Sequence, residues 1–288
     1  MTTVDLTTTT TPSGTGPATT THSPGVAGAG FLTATGQAAR RNALQILRSP
    51  QLLVLPTILG ALFLFVFRYI FGGAIDPGGP VDYVDFLIPG FVVQTILWTG
   101  MNTPAGVAED AASGVHDRFR SLPIPRAAVV AGRSLADAGL IAWTLVVTVG
   151  LGFAVGFRTH SDPASVLAAF GLLLVATYVL TWVFITLGLV STNAQAAQGM
   201  TTLLIVPLVF VSSAYVPVDS MPGWMQPFAA HQPLTVMINA VRSLMLGGTD
   251  AAGVGHTTGY WVGLSLAWCA GILAVFSALA VARFGRTR

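Results

Sequence analysis

The charged residues that could do chemistry in this chain gather in one polar segment, residues 109–133, between two long apolar runs. The segment holds four of the 13 basic residues and three of the 11 acidic residues of the 288-residue chain. Only 8% of all residues are charged, against roughly 25% in an average soluble domain. The segment therefore marks a surface that contacts something other than lipid, and we predict that a partner acts on it.

Several kinds of catalytic site are excluded by residue type and spacing. Every basic residue is Arg, so the chain lacks the Lys that a phosphate-binding P-loop needs to reach the β- and γ-phosphates. The five His residues are dispersed over the tail and the loops without metal-ligand spacing. Asp137 lies four residues after Arg133, so we predict an ion pair on one helix rather than a proton relay. We therefore predict a chain that is not an enzyme and holds no cofactor or metal of its own.

The elements that must position these residues are membrane spans. The chain is 53% hydrophobic with a mean hydropathy of +0.72, and it contains several runs as long as the roughly 20 residues that cross a bilayer. The predicted fold is an all-α polytopic membrane protein with six transmembrane helices. Their predicted bounds are 51–71, 86–108, 134–157, 164–190, 196–215 and 258–282.

Two segments precede the first span. Residues 1–33 are rich in Thr, Pro and Gly and are predicted to be a disordered cytoplasmic tail, which leaves 34–288 as the transmembrane domain. Residues 35–48 place Arg41, Gln45 and Arg48 on one helical face and small aliphatic residues on another. This pattern predicts an interfacial helix, and a plain linker is the alternative.

The distribution of Arg orients the spans. Six spans leave both termini on one side, and that side carries ten of the 13 Arg residues. Cytoplasmic loops are enriched in Arg and Lys. Both termini and residues 109–133 are therefore predicted to be cytoplasmic, in a cell membrane that the chain crosses several times.

Within the polar segment, residues Ser113 to Leu122 predict a short helix, with Ser113 as its N-cap and Pro123 after its end. Its apolar ridge is bordered by charged residues and follows an acidic residue at the end of the second span. In order, these residues are Glu109, Val115, Asp117, Arg118, Phe119, Arg120 and Leu122. Such a ridge suits a groove on a partner protein, and a loop resting on anionic lipid is the alternative.

The segment between the last two spans, residues 216–248, is too broken by Pro and Gly to cross the membrane. An apolar stripe at helical spacing occupies its second half: Leu234, Met237, Ile238, Val241, Leu244 and Met245. We predict two short helices that enter the outer leaflet and return, packed on the outer ends of the fifth and sixth spans, with a floppy external loop as the alternative. Pro222, Trp224, Pro233 and Arg242 are the predicted gate residues, with Trp224 among the headgroups and Arg242 turned toward water.

Polar residues inside the spans could line a path or bridge helices. They include Gln94, Asn102, Gln195 and Gln198. Three glycines at four-residue spacing open the last span, Gly255, Gly259 and Gly263, and predict a surface on which another helix packs closely.

Two motifs carry a resemblance that covers about residues 37–283. The first is the stretch around DRFRSLP (117–123), and the second runs from VPVDSMPGW (216–224) through QPLT (232–235) to AVR (240–242). Together they resemble the permeases of ABC-2-type exporters, especially the actinobacterial branch of daunorubicin-resistance membrane subunits. The chain departs from that pattern at His231 and Gln232, where many relatives have Asn before the Pro, and this leaves the role of that turn open.

The resemblance implies a function that the residues alone do not give. It implies an ATP-driven exporter of amphipathic drug-like or lipid-like compounds, in which two permease subunits, identical or homologous, pair in the membrane. A separate nucleotide-binding ATPase would carry ATP and Mg²⁺ and dock on the interfacial helix and on the cytoplasmic coupling helix, residues 113–122. No nucleic-acid partner is expected. An importer permease is the alternative within transport, and an integral-membrane transferase is a further alternative that would need clustered acids or His.

Overall fold

The structure is a computed structural model that describes residues 51–71, 82–112, 126–248 and 254–286. Helices and the turns between them make up these ranges, and no strand occurs in them. The α-helices are α1 (Gln51–Val66), α2 (Tyr83–Gly100), α3 (Asn102–Ala112), α4 (Arg126–Val155), α5 (Pro163–Val190), α6 (Ala194–Phe210), α7 (Gln226–His231), α8 (Pro233–Met245) and α9 (Thr258–Arg286). A π-helical turn, Phe67–Phe71, follows α1, and a 3₁₀ turn, Val218–Ser220, precedes α7. The predicted all-α class is confirmed.

Four helical stretches in the described ranges are long and apolar enough to cross a membrane. They are Tyr83–Ala111, Gly132–Val155, Pro163–Val190 and Thr258–Arg283. Two shorter apolar helical stretches, Gly60–Ile70 and Ala194–Phe210, lie where the first and fifth spans were predicted. The predicted disordered tail (1–33), the interfacial helix (35–48) and the coupling helix (113–122) lie outside the described residues.

Several helices have other bounds than the predicted spans, and three of these differences have a local reason. The second span consists of α2 and α3, which are separated at Met101 because Pro104 has no N–H to donate to the Gly100 carbonyl. The third helix begins at Arg126 rather than at residue 134, because residues 126–133, RAAVVAGR, contain Ala and Arg, which favour a helix, and extend it back to Pro125. The fifth ends at Phe210 rather than at residue 215, where the Ser212 hydroxyl donates to the Val209 carbonyl at 2.6 Å and competes with the helical pattern.

Helix α5 lies at the centre of the bundle and packs against α2, α3, α4, α6, α8 and α9. Asp162 caps its first turn by accepting hydrogen bonds from the Ser165 backbone N–H (3.1 Å) and hydroxyl (2.7 Å). These bonds stabilise the carboxylate and hold the pKa of Asp162 below its usual value. At the other end of α5, Gly188 permits close packing on α3, since a Cβ there would lie 2.6 Å from the Pro104 carbonyl oxygen.

Helix α8 is buried among the other helices. Residues 234–245 are all buried, and the helix packs against α2, α5 and α9. The apolar stripe therefore correctly predicted a helix and its contact with the last span. Its contacts with α2 and α5 were not predicted, because the stripe shows how many sides of a helix are apolar but not which helices cover them.

Candidate functional site

A charged cluster joins α3 to α4 at the end of the bundle that carries residues 113–125. The Arg133 Nε lies 3.3 Å from Asp137 Oδ2, and its Nη1 pairs with Asp110 Oδ2. The Thr103 side chain also hydrogen bonds the Asp137 carboxylate. The i, i+4 ion pair between Arg133 and Asp137 is confirmed, and the additional partner, Asp110, comes from a helix on the other side of the polar segment. We call Arg133, Asp110, Asp137 and Thr103 the Arg133 cluster.

The Arg133 guanidinium lies directly on the backbone of α3. A Cβ at Gly106 would lie 2.6 Å from Arg133 Nη2, so a larger residue at this position would require the guanidinium to shift. Because one guanidinium bonds acids from both α3 and α4, the two helices are held together at the base of the polar segment. A force on residues 113–125 would therefore move both helices together.

Most residues of the predicted coupling surface fall in the undescribed part of the chain. Arg41, Gln45 and Arg48 of the interfacial helix, and Val115, Asp117, Arg118, Phe119, Arg120 and Leu122 of the coupling helix, lie outside the described residues. Glu109 is described, and it is exposed on the last turns of α3 beside the Arg133 cluster.

At the opposite end of the bundle, Arg242 of α8 is fully buried, with 1% of its surface exposed. Its Nε and Nη2 donate to the Phe86 carbonyl at 3.2 and 3.0 Å, and Nη2 also donates to the Ser213 carbonyl at 2.9 Å. Its Nη1 donates to Asn239 Oδ1 at 3.3 Å, and the guanidinium carbon lies 3.7 Å from the centre of the Phe86 ring. Arg242 therefore links α8 to α2 and to the turn after α6. The prediction that Arg242 turns toward water is wrong.

Arg242 is buried where α2 comes close to the turn after α6. Pro89 lies inside α2, and a proline there removes one backbone hydrogen bond and bends the helix away from it. The carbonyl that loses its helical donor is that of Asp85, four residues before the proline, and Arg242 bonds the neighbouring Phe86 carbonyl. Gly90 brings α2 so close to the turn that a Cβ would overlap the Ala214 carbonyl.

The other predicted gate residues lie at the surface of this end. Trp224 is 79% exposed, which is compatible with an indole among lipid headgroups. Pro222 is also exposed, and Pro233 is the first residue of α8. Gln232, at the departure from the family pattern, donates from Nε2 to the Leu208 carbonyl at 3.1 Å and ties the turn to α6.

The four polar residues predicted as path lining or helix bridges do not share one environment. Gln94 is buried in the core and hydrogen bonds the Tyr215 hydroxyl, which bridges α2 to the turn after α6. Asn102, Gln195 and Gln198 are exposed on the outside of the single chain. The structure therefore brings none of these three together with Gln94.

The glycine ladder at the start of α9 faces open space. Added Cβ atoms at Gly259 and Gly263 would meet nothing within 4 Å, and only 17% of the apolar window of α9 is buried. Within the described part of the chain, no helix occupies this face.

Sequence reasoning missed two features of these ends. The pairing of Arg133 with Asp110 joins residues 23 positions apart. The signal for it was that one acid, Asp110, lies at the start of the polar segment and another, Asp137, lies just after its end. The contact of Arg242 with Phe86 joins residues 156 positions apart. Nothing in the spacing of residues around Arg242 indicated this contact.

These features define a helical membrane protein with a charged cluster at one end and a buried, arginine-linked helix at the other. Residues 33–246 match the family described as ABC-2 type transporter. The chain belongs to this family of transport membrane subunits. Its motifs at residues 117–123 and 216–242 had indicated the same family, and that prediction is confirmed.

Individual relatives agree with the family match. The chain is 35% identical over 219 residues to the daunorubicin resistance ABC transporter permease protein DrrB1 of Streptomyces coeruleorubidus, covering 76% of this chain and 74% of that protein. It is 30% identical over 162 residues to the probable doxorubicin resistance ABC transporter permease protein DrrC of Mycobacterium tuberculosis, covering 56% of this chain and 55% of the relative. It is 24% identical over 211 residues to the inner membrane transport permease YadH of Escherichia coli, with 69% and 77% covered.

Proposed function

We propose that this chain is the permease subunit of an ATP-driven exporter that moves amphipathic drug-like or lipid-like compounds out of the cell. It pairs with a second permease subunit, identical or homologous, and crosses the plasma membrane six times with both termini in the cytoplasm. ATP and Mg²⁺ act on a separate nucleotide-binding ATPase that docks on residues 113–122 and on the interfacial helix, residues 35–48.

The observation that carries this proposal is the 35% identity to a daunorubicin resistance permease across about three quarters of both chains. The drugs in the names of two relatives support an amphipathic substrate. The absence of Lys from the sequence supports a separate ATPase, because a P-loop needs one. The described residues contain no group of His, Cys, Asp and Glu that could hold a metal ion.

The geometry supports a route by which the ATPase drives transport. Movement of residues 113–122 reaches α3 and α4 together, since the Arg133 cluster joins them. Helix α3 continues as α2 after the break at Met101. At the far end of α2, Arg242 bonds the Phe86 carbonyl, so displacement of α2 displaces α8. In this mechanism, α8 and residues 217–224 cap the outer end of the path and yield when the substrate leaves.

Hydrolysis of ATP tests the division of labour between the two subunits. We expect the purified chain alone to hydrolyse no ATP, and the chain co-purified with its ATPase to hydrolyse ATP at a rate that changes with an amphipathic drug such as doxorubicin. ATP turnover by a preparation that contains no second polypeptide would refute the proposal.

A further inference from the structure

A cavity of about 630 Å³ lies beside Arg242, at the end of the bundle away from the Arg133 cluster. Its volume is within the range of about 300–1,000 Å³ that is usual for small-molecule sites. Its walls come from the start of α2, the segment from Ser213 to Ser220, helices α7 and α8, and the start of α9. All of the residues that line the cavity come from this chain.

Arg242 places a positive charge in the cavity wall without a matching carboxylate. Its four hydrogen bonds go to two carbonyls and one amide oxygen, and no described Asp or Glu lies within 4.0 Å of it. A guanidinium has five N–H donors, so one N–H on Nη1 has no acceptor among the described residues. A buried cation is costly unless an anion accompanies it, and the cavity offers the space for that anion.

The start of α9 contributes an aromatic wall to the cavity. At the start of α9, His256 lies 4.5 Å from Tyr260 and 5.6 Å from Trp261 between ring centres, and Tyr260 lies 5.3 Å from Trp261. The indole Nε1 of Trp261 donates to the Val254 carbonyl at 3.2 Å, which fixes the ring. Such a wall binds flat or extended apolar groups.

The remaining ionisable groups limit the charge of the ligand. Asp219 and His231 also line the cavity, and both are exposed at its rim. The Asp219 carboxylate would repel a second anionic group near the opening, whereas the buried guanidinium acts through a medium of lower dielectric constant and attracts more strongly. A ligand with one anionic group and an apolar body can pair with the buried guanidinium without placing a second anionic group beside Asp219.

We propose that this cavity binds an amphipathic anion, with its carboxylate, sulfonate or phosphate group against Arg242 and its apolar body on Tyr260 and Trp261. The anion could come from a lipid headgroup or from a soluble aromatic acid, since both present the same chemistry to the guanidinium. The site belongs to the chain alone, so its occupation is measured without an ATPase and does not depend on export.

Cysteine labelling in nanodiscs of phosphatidylcholine reports occupation of the cavity. The single native Cys269 is buried, so an introduced cysteine supplies the signal. Ser220→Cys places the reporter on the cavity wall, and Gly223→Cys is the matched control, because Gly223 is exposed, faces open space and does not line the cavity. The probes are 8-anilinonaphthalene-1-sulfonate and the neutral N-phenyl-1-naphthylamine, which has the same rings without the sulfonate.

We expect the anionic probe to slow maleimide labelling of Ser220→Cys and to leave Gly223→Cys unchanged. It should act at a concentration about tenfold lower than the neutral probe, because a hydrogen bond to a charged group accounts for a factor of that size. Equal potency of the two probes, or equal protection of both cysteines, would overturn the proposal.

Variants and competitors separate the contributions to binding. Tyr260→Ala should weaken both probes by a similar factor and keep the preference for the anion. Arg242→Gln should abolish that preference. This variant also loses hydrogen bonds that hold α8. If it does not fold, the comparison of the two probes on the chain that keeps Arg242 tests the proposal.

Displacement of the anionic probe by phosphatidylglycerol identifies a lipid headgroup, and displacement by 2-naphthoate identifies a soluble acid. Displacement by neither would overturn the proposal.

Discussion

Replacing Gly188 by Ala should separate α5 from α3. A Cβ at Gly188 would lie 2.6 Å from the Pro104 carbonyl oxygen and 2.6 Å from the Cβ of Val107. Carbon atoms in contact lie about 3.5–4.0 Å apart, so the two helices would have to move apart by about 1 Å. Truncating Val107 to Ala would not relieve the overlap, because its Cβ and the Pro104 carbonyl would remain.

The expected loss of stability follows from two opposing effects. Overpacking costs about 1–3 kcal/mol, and this site belongs at the upper end because backbone atoms form the contact. Ala stabilises a helix by about 1 kcal/mol relative to Gly, which leaves a net loss of about 2 kcal/mol. Such a loss lowers the melting temperature by roughly 4–8 °C in a chain of this size.

The matched control lies on the same helix. A Cβ at Gly171 would meet nothing within 4 Å, so Gly171→Ala should keep or slightly raise the melting temperature. Thermal unfolding of the detergent-purified variants, followed by fluorescence-detected size-exclusion chromatography, measures both effects. Equal melting temperatures for Gly188→Ala and Gly171→Ala would show that the close packing of α3 on α5 does not limit stability.

Three further changes test the ends of the bundle. Arg133→Gln removes the guanidinium that bonds Asp110 and Asp137 and should cost about 2 kcal/mol of stability, below the range for a fully buried pair. Arg133→Lys should fall between this variant and the native chain, and native-like melting of Arg133→Gln would contradict the role of the cluster. Phe119→Ala should weaken docking of the ATPase by about 2 kcal/mol, or roughly 30-fold. Ser121→Ala is the control, because Ser121 lies off the apolar ridge, and it should leave docking unchanged. Equal co-purification of the ATPase with both variants would refute the predicted role of Phe119 as the docking anchor. A cysteine at Asp219 should react with an impermeant reagent added outside intact cells while one at Ile238 is protected, and labelling at Asp219 only from the cytoplasm would reverse the topology.

Patterns within a single helix were sufficient to predict much of the fold. Apolar length indicated the long helices α5 and α9, and the stripe from Leu234 to Met245 indicated α8, because helical spacing is a local property of the sequence. The i, i+4 spacing of Arg133 and Asp137 predicted their ion pair for the same reason.

Features that depend on how helices meet were not predictable in the same way. Arg242 was expected to face water, because a charged side chain near the outer surface is ordinarily solvated. Its burial depends on the Phe86 carbonyl, 156 positions away, and on Gly90, which lets α2 approach the Ala214 backbone. Neither contact can be inferred from the spacing of residues around Arg242 itself.

The most direct test of the account is transport in proteoliposomes that contain this chain and its ATPase. ATP added outside reaches only those complexes whose ATPases face outward, so export appears as uptake of doxorubicin into the lumen. We predict uptake that requires ATP hydrolysis and both polypeptides and that is lost with Phe119→Ala. ATP-driven uptake by this chain without a second polypeptide, or ATP-driven loss of drug from the lumen, would contradict the assignment of this chain as the permease subunit of an exporter.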